Sequence, residues 1–98
     1  MAPITDDQVE LVRRLVAAIP PGRVATYGDI ASAAELSSPR IVGWIMRTDS
    51  SDLPWHRVIT ASGRPAAHLA TRQLELLRAE GVLADDGRVD LARARHRF

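Results

Sequence analysis

Thr26-Tyr27-Gly28-Asp29-Ile30-Ala31, followed by Ser38-Pro39-Arg40-Ile41-Val42-Gly43-Trp44-Ile45-Met46-Arg47-Thr48, is the stretch whose reading decides the fold. Thr26 and Asp29 stand at capping-box spacing, which predicts a short helix running through Ile30, Ala31 and Ala34. Ser38 is a second N-cap, and Pro39 suits the first helical position because its fixed φ is already helical and its missing N–H is not needed there. Ile41, Val42 and Ile45 then supply an inward face for a helix running to about Thr48. Two short helices joined by a tight turn read as helix-turn-helix. That geometry puts the second helix into a DNA groove with its first turn nearest the bases, so Arg40 is the obvious probe and Arg47 follows a turn or two later. An ordinary three-helix core shows the same periodicity, and on this stretch alone the two readings stand even.

Upstream, Thr5-Asp6-Asp7-Gln8 repeats the capping box. Val9, Val12, Val16 and Ile19 lie on one helical face with Leu11 and Leu15 beside it, until Pro20-Pro21-Gly22 stops the element. Downstream, Asp49 to Asp52 form a polar loop, Pro54 holds Leu53 extended, and Val58-Ile59 reads as a short strand before an Ala61-Ser62-Gly63 turn. From about Ala67 to Glu80, the spacing of Leu69, Leu74, Leu76 and Leu77 predicts another helix, closed by Gly81. Asp85-Asp86-Gly87 separates Val82-Leu83 from Val89-Asp90-Leu91 as a small hairpin or wing. The last residues read as a basic, frayed tail. The expected fold is mostly α with short β elements, a winged helix-turn-helix-like domain.

Ninety-eight residues predict one domain, spanning 1–98. The start of the chain lacks a basic, apolar leader, and no stretch is apolar enough to span a bilayer, so a soluble cytoplasmic protein with no membrane partner is expected. There is no cysteine, which excludes disulfides, thiol chemistry and cysteine-ligated zinc. His56, His68 and His96 show no metal-ligand spacing, and neither metal nor cofactor is expected. Net charge is only +1, yet Leu36 to Arg72 carries five arginines against Asp49 and Asp52, and Arg88 to Phe98 carries four against Asp90. All thirteen basic residues are arginine, best read as a matter of genomic base composition, although the planar guanidinium suits phosphates and base edges.

Three blocks in order carry a specific resemblance: Ile19-Pro20-Pro21-Gly22-Arg23-Val24-Ala25-Thr26-Tyr27-Gly28-Asp29-Ile30-Ala31, then Pro39 to Arg47, then Pro54-Trp55-His56-Arg57-Val58-Ile59. Over roughly Ile19 to Gly63 the chain resembles the DNA-binding domain of the O6-alkylguanine-DNA alkyltransferases, with Trp55 where those enzymes carry the alkyl-accepting cysteine. That replacement looks like the alkyltransferase-like proteins, small non-enzymatic relatives. The chemistry agrees, because alkyl transfer to protein needs a thiolate and an indole cannot act as one.

The resemblance implies roles residue by residue. Tyr27 crowds a phosphate and helps rotate the damaged nucleotide out of the stack, where the ordinary alternative is a core tyrosine. Arg40 is the finger that fills the vacated space, a task suited to a group that stacks and hydrogen-bonds at once. Trp55 offers an apolar face to the flipped base. The implied lesion pocket is Trp55, Tyr27, Pro54, Met46, Arg64 and His68; the implied DNA-binding surface is Thr26, Tyr27, Gly28, Ser38, Pro39, Arg40, Arg47 and Ala61. His56, with no thiol to activate, is structural, and Arg57 resembles the motif arginine that braces this loop and the second helix. Trp44 departs from the small residue usual in the enzymes and either packs the core or alters the DNA face. The segment after Gly63 is shorter than in the family, and Asp49 stands in place of a polar hinge asparagine.

The implied function is a non-enzymatic sensor that binds O6-alkylguanine in duplex DNA by nucleotide flipping and flags it for nucleotide excision repair. Such a protein is expected to be a monomer, nucleoid-associated when bound, with double-stranded DNA and excision-repair proteins as partners. The rival is a winged-helix regulator reading a sequence in the major groove, although no dimerisation helix or heptad seam is present. Residual transferase or glycosylase activity lacks both a thiol and an acid–base pair.

Overall fold

A computed structural model describes residues 4–98. Helix α1 (Asp6–Ala17) opens on the expected reciprocal cap: the Thr5 hydroxyl accepts from the Gln8 amide at 3.1 Å, and the Gln8 side chain accepts from the Thr5 amide at 2.9 Å. Val12 and Val16 are buried along its inner face, and Ile19 is buried just beyond its end. Strand β1 (Ala25–Thr26) leads directly into α2 (Tyr27–Ala33), capped by Thr26 and Asp29, and α3 (Pro39–Thr48) follows with Ser38 as its cap and Pro39 in its first turn. α2 and α3 pack on each other and both pack on α1. Val42 and Ile45 face that core, whereas Trp44 stands on the outer side of α3, 46% exposed. The core alternative for Trp44 is thereby excluded.

Strand β2 (Val58–Ile59) pairs in parallel with β1, Ala25 opposite Val58 and Thr26 opposite Ile59. Side chains alternate across a strand, so this pair separates two apolar clusters. Ala25 and Val58 join the three-helix core, while Val24 and Ile59 join a second cluster with Leu77, Val82, Val89 and Ala94. The helix expected from Ala67 begins as a 3₁₀ turn at Ala67–Leu69 and becomes α4 only over Ala70–Ala79. At its end the Val82 amide donates to the Leu77 carbonyl at 2.9 Å.

The hairpin lies later and is shorter than the apolar residues suggest: β3 is Ala84–Asp85 and β4 is Arg88–Val89. Its turn residues Asp86 and Gly87 both have positive φ, 52° and 75°, the twist that lets a two-residue loop close two strands. Val82 instead packs into the second cluster, Leu83 is exposed, and Asp90 caps a final helix, α5 (Leu91–Ala94). The frayed tail is therefore corrected. Ala94 is buried, its carbonyl accepts from the Val24 amide at 2.9 Å, and the His96 amide donates to the Val24 carbonyl at 2.7 Å. Apolar burial at Ala94 and backbone pairing to Val24 outweigh the freedom expected of an arginine-rich end. Among the described residues, no helix is long and apolar enough to cross a membrane.

Candidate nucleic-acid interface

α2 and α3 open on one side onto a cleft of about 680 Å³. Tyr27 stands at the start of α2; Pro39, Arg40, Gly43, Met46 and Arg47 border the cleft along one face of α3, and Trp55, His68 and Gln73 close the far side. Arg40 and Arg47 are exposed, and neither forms an ion pair among the described residues. Burial raises the Tyr27 phenol above its ordinary range, against the lowering effect of nearby Arg47. Tyr27 is thus neutral at pH 7 and keeps an O–H to donate.

Trp55 is positioned by local backbone geometry. Pro54 has φ −73° and ψ 63°, an inverse γ-turn in which the Trp55 amide donates to the Leu53 carbonyl at 2.7 Å. Trp55, His56 and Arg57 then form a 3₁₀ turn ahead of β2. Pro54 aims the tryptophan but does not itself line the cleft.

Behind the 3₁₀ turn lies a charged hub on Glu80, at the end of α4. Arg57 donates to both carboxylate oxygens, at 3.0 and 2.7 Å, and His56 Nε2 lies 2.8 Å from Oε2. All three side chains are at most 17% exposed. The Arg57 hydrogen bonds hold the Glu80 carboxyl down to about 2 against the cost of burial, aided by His56 and by the Gly22 amide. The third Arg57 contact is the Ile19 carbonyl at 2.9 Å. Arg57 therefore braces the loop to the end of α1 and to α4, not to the second helix, because Glu80 supplies the complementary carboxylate there. Gln73, 2% exposed, donates to the carbonyls of His56 at 2.9 Å and Val58 at 2.7 Å. With these contacts the segment carrying Trp55 is tied to the end of α1 and, at two points, to α4.

The far end of α3 is anchored separately. Arg13 on α1 donates to the Asp49 carbonyl at 2.7 Å and pairs with Asp52 at 2.5 and 3.0 Å. Asp49, which by the resemblance stands in place of a hinge asparagine, is a tether between α1 and the loop after α3.

Of the six residues assigned to the lesion pocket by resemblance, Tyr27, Met46, Trp55 and His68 line the cleft. Arg64 does not: it donates to the Asp86 carbonyl at 2.9 Å and borders a shallow depression beside the hairpin. On the assigned DNA surface, Pro39, Arg40 and Arg47 border the cleft, and Gly28 sits half-exposed beside Tyr27. Thr26 is 2% exposed with its hydroxyl capping α2, and the Ser38 hydroxyl accepts from the Arg40 amide at 3.1 Å, so these two position their neighbours. Ala61 is exposed in the turn after β2, outside the cleft. Gly43, Thr48, Ser50, Ser51, Val58, Ala66, Leu69 and Gln73 complete the lining without having been read as site residues. Only the polar loop after Thr48 offered a signal for any of them.

The model of the 6-O-methylguanine DNA methyltransferase DNA-binding domain matches residues 8–82. A DNA base-flipping protein of Escherichia coli K12 is 40% identical over 101 aligned positions, covering 95% of this chain and 77% of that one. Alkyltransferase-like protein 1 of Schizosaccharomyces pombe is 39% identical over 74 positions, covering 68% of each. The crystal structure of S. pombe Atl1, in complex with damaged DNA containing O6-carboxymethylguanine, superposes with a TM-score of 0.86 at 29% identity, covering 96% of this chain and 98% of that one. The chain belongs to the family of the 6-O-methylguanine DNA methyltransferase DNA-binding domain and, within it, to the alkyltransferase-like proteins.

Proposed function

We propose that this protein is a non-enzymatic sensor of O6-alkylguanine in duplex DNA. The observation that carries the reading is the cleft itself: Tyr27 and Arg40 stand at its α2–α3 edge and Trp55 at its far wall, in a chain without cysteine. α3 enters the minor groove, Tyr27 presses on a phosphate, and Arg40 occupies the gap left when the nucleotide rotates out. The extruded purine stacks on Trp55, with Met46 and His68 beside it. No thiolate is available to attack the alkyl carbon, so the lesion is held and not repaired in place. Selectivity has two sources. An alkylated guanine pairs poorly and costs less to unpair, and its added alkyl group meets apolar surface in the cleft. Retention on the lesion flags it for nucleotide excision repair, with the protein acting as a monomer. The relatives crystallised with damaged DNA and named for base flipping support this reading.

The test is a titration, at one fixed salt concentration, against a duplex carrying a single O6-methylguanine and against the same duplex undamaged. The damaged duplex is expected to bind more tightly, with Trp55→Ala and Arg40→Ala each losing about tenfold on it, within the range of base stacking. Equal binding to both duplexes would favour a winged-helix reader of sequence. Radiolabel transferred from the O6-alkyl group to the protein would overturn the non-enzymatic reading.

A further inference from the structure

Trp44 is the large apolar side chain on α3 that the core does not use. It is 46% exposed, does not line the cleft, and has no aromatic neighbour or indole hydrogen bond among the described residues. Its place on the helix is informative. Residues three and four apart share a helical face, so Arg40 flanks Trp44 on one side and Arg47 on the other. Both are exposed cations without ion pairs among the described residues, which gives this face a positive rim around an aromatic centre. A protein partner with an apolar pocket would have to accommodate two unpaired guanidinium groups, whereas a duplex offers phosphates for them and base edges for the ring.

We infer that Trp44 is a further DNA-contacting aromatic beside Tyr27 and Trp55, an apolar wedge that α3 presses against the minor-groove edge of the bases beside the extruded nucleotide. The inference rests on α3 entering DNA as proposed above. If Arg40 fills the vacated position, Trp44 lies about 6 Å further along the helix, one turn on and on the order of two base-pair steps away. Large apolar side chains in the minor groove part stacked bases and bend the duplex away. The indole N–H adds a donor in a groove whose edges present acceptors at every base pair. Trp55 and Trp44 thus divide the work: one receives the base, the other holds open the steps it came from.

The two tryptophans can be told apart, since Trp55→Phe leaves Trp44 as the sole indole. In that variant at saturating duplex, acrylamide quenching of Trp44 is expected to fall at least about threefold on binding. In the otherwise unaltered protein, Trp44→Ala is expected to weaken binding to damaged and undamaged duplexes alike by at least about fivefold, as for loss of one base–aromatic contact. Trp44→Phe should restore most of that, and both variants should keep the unfolding midpoint of the parent because the ring is outside the core. Trp44 that stays fully quenchable in the complex, or Trp44→Ala binding within twofold of the parent, overturns the inference while a preserved lesion preference keeps the sensor reading. Conversely, equal binding to both duplexes together with a protected Trp44 sinks the sensor reading and leaves the groove contact standing. Protection that appears without DNA and grows with protein concentration would make a second copy the occupant and overturn the inference.

Discussion

Glu80 shows how one carboxylate can organise a cleft it never lines. It receives two hydrogen bonds from Arg57 and one from His56, and through them it fixes the 3₁₀ turn that carries Trp55. Its folded-state value of about 2 lies below the 4.5 of an unperturbed glutamate, so the ionised form is favoured by folding. The stability this gives is fully present above pH 4.5 and drains away as pH falls toward 2, amounting to at most about 3 kcal/mol at neutral pH. Glu80→Gln should therefore destabilise the protein by about 2–3 kcal/mol at pH 7, the cost of stranding a part-buried Arg57. It should also flatten the acid limb of stability between pH 4.5 and 2. Urea unfolding at pH 7 and pH 3 measures both, and an acid limb as steep as the parent's would remove Glu80 from this role. Tyr27, Arg40 and Trp55, singled out by the motif blocks, all border the one cleft. Gln73 was not singled out: a glutamine inside an amphipathic helix reads as surface, and only the fold reveals that it meets the carbonyls of His56 and Val58. Arg64 went astray for the opposite reason, since a long side chain in a loop carries no directional signal and the Asp86 carbonyl decided where it went.

Local signals specified the helices well, and long-range pairing specified what they could not. The caps at Thr5, Thr26 and Ser38 were readable because each rests on residues at most three apart. The parallel pairing of Ala25–Thr26 with Val58–Ile59 joins two-residue strands far apart in sequence, for which no short pattern exists. Gly63 is another such case. Its φ of +83° and the Val89 carbonyl, 2.5 Å from where a Cβ would sit, let the turn after β2 approach β4, so the Val89 amide reaches the Gly63 carbonyl at 2.8 Å. The C-terminal segment looked like a solvated tail because its arginines dominate its composition. Asp90 at an N-cap position before Leu91-Ala92-Arg93-Ala94 was the signal for a helix. Ala94→Glu tests the docking: a carboxylate placed among Val24, Leu77 and Val89 should cost at least about 3 kcal/mol. Arg97→Ala, at the exposed end, should stay within about 0.5 kcal/mol. Equal effects of the two in urea unfolding would return the segment to a loose tail.

Across the whole molecule, a net charge of +1 conceals a division of labour among thirteen arginines. Arg13, Arg57 and Arg95 are spent on Asp49 and Asp52, on Glu80 and on Asp29, where they lock α1 to the loop after α3, the Trp55 turn to α4, and the C-terminal segment to α2. Those charges are already neutralised and release few counterions when DNA arrives. Arg40 and Arg47 are different, since they border the cleft without acidic partners among the described residues. The salt dependence of DNA binding should follow this division and not the net charge. Arg47→Ala is expected to make the slope of log K against log salt shallower by about 0.9, the value for one neutralised phosphate on a duplex. Arg14→Ala, which removes an arginine that is also exposed, on α1 beside Glu10, should leave the slope unchanged. Binding measured at several salt concentrations on the undamaged duplex separates the two, because lesion recognition does not enter there. Equal slope changes in both variants would mean that α1 also lies along the phosphates, and the electrostatic footprint would then extend well beyond α3.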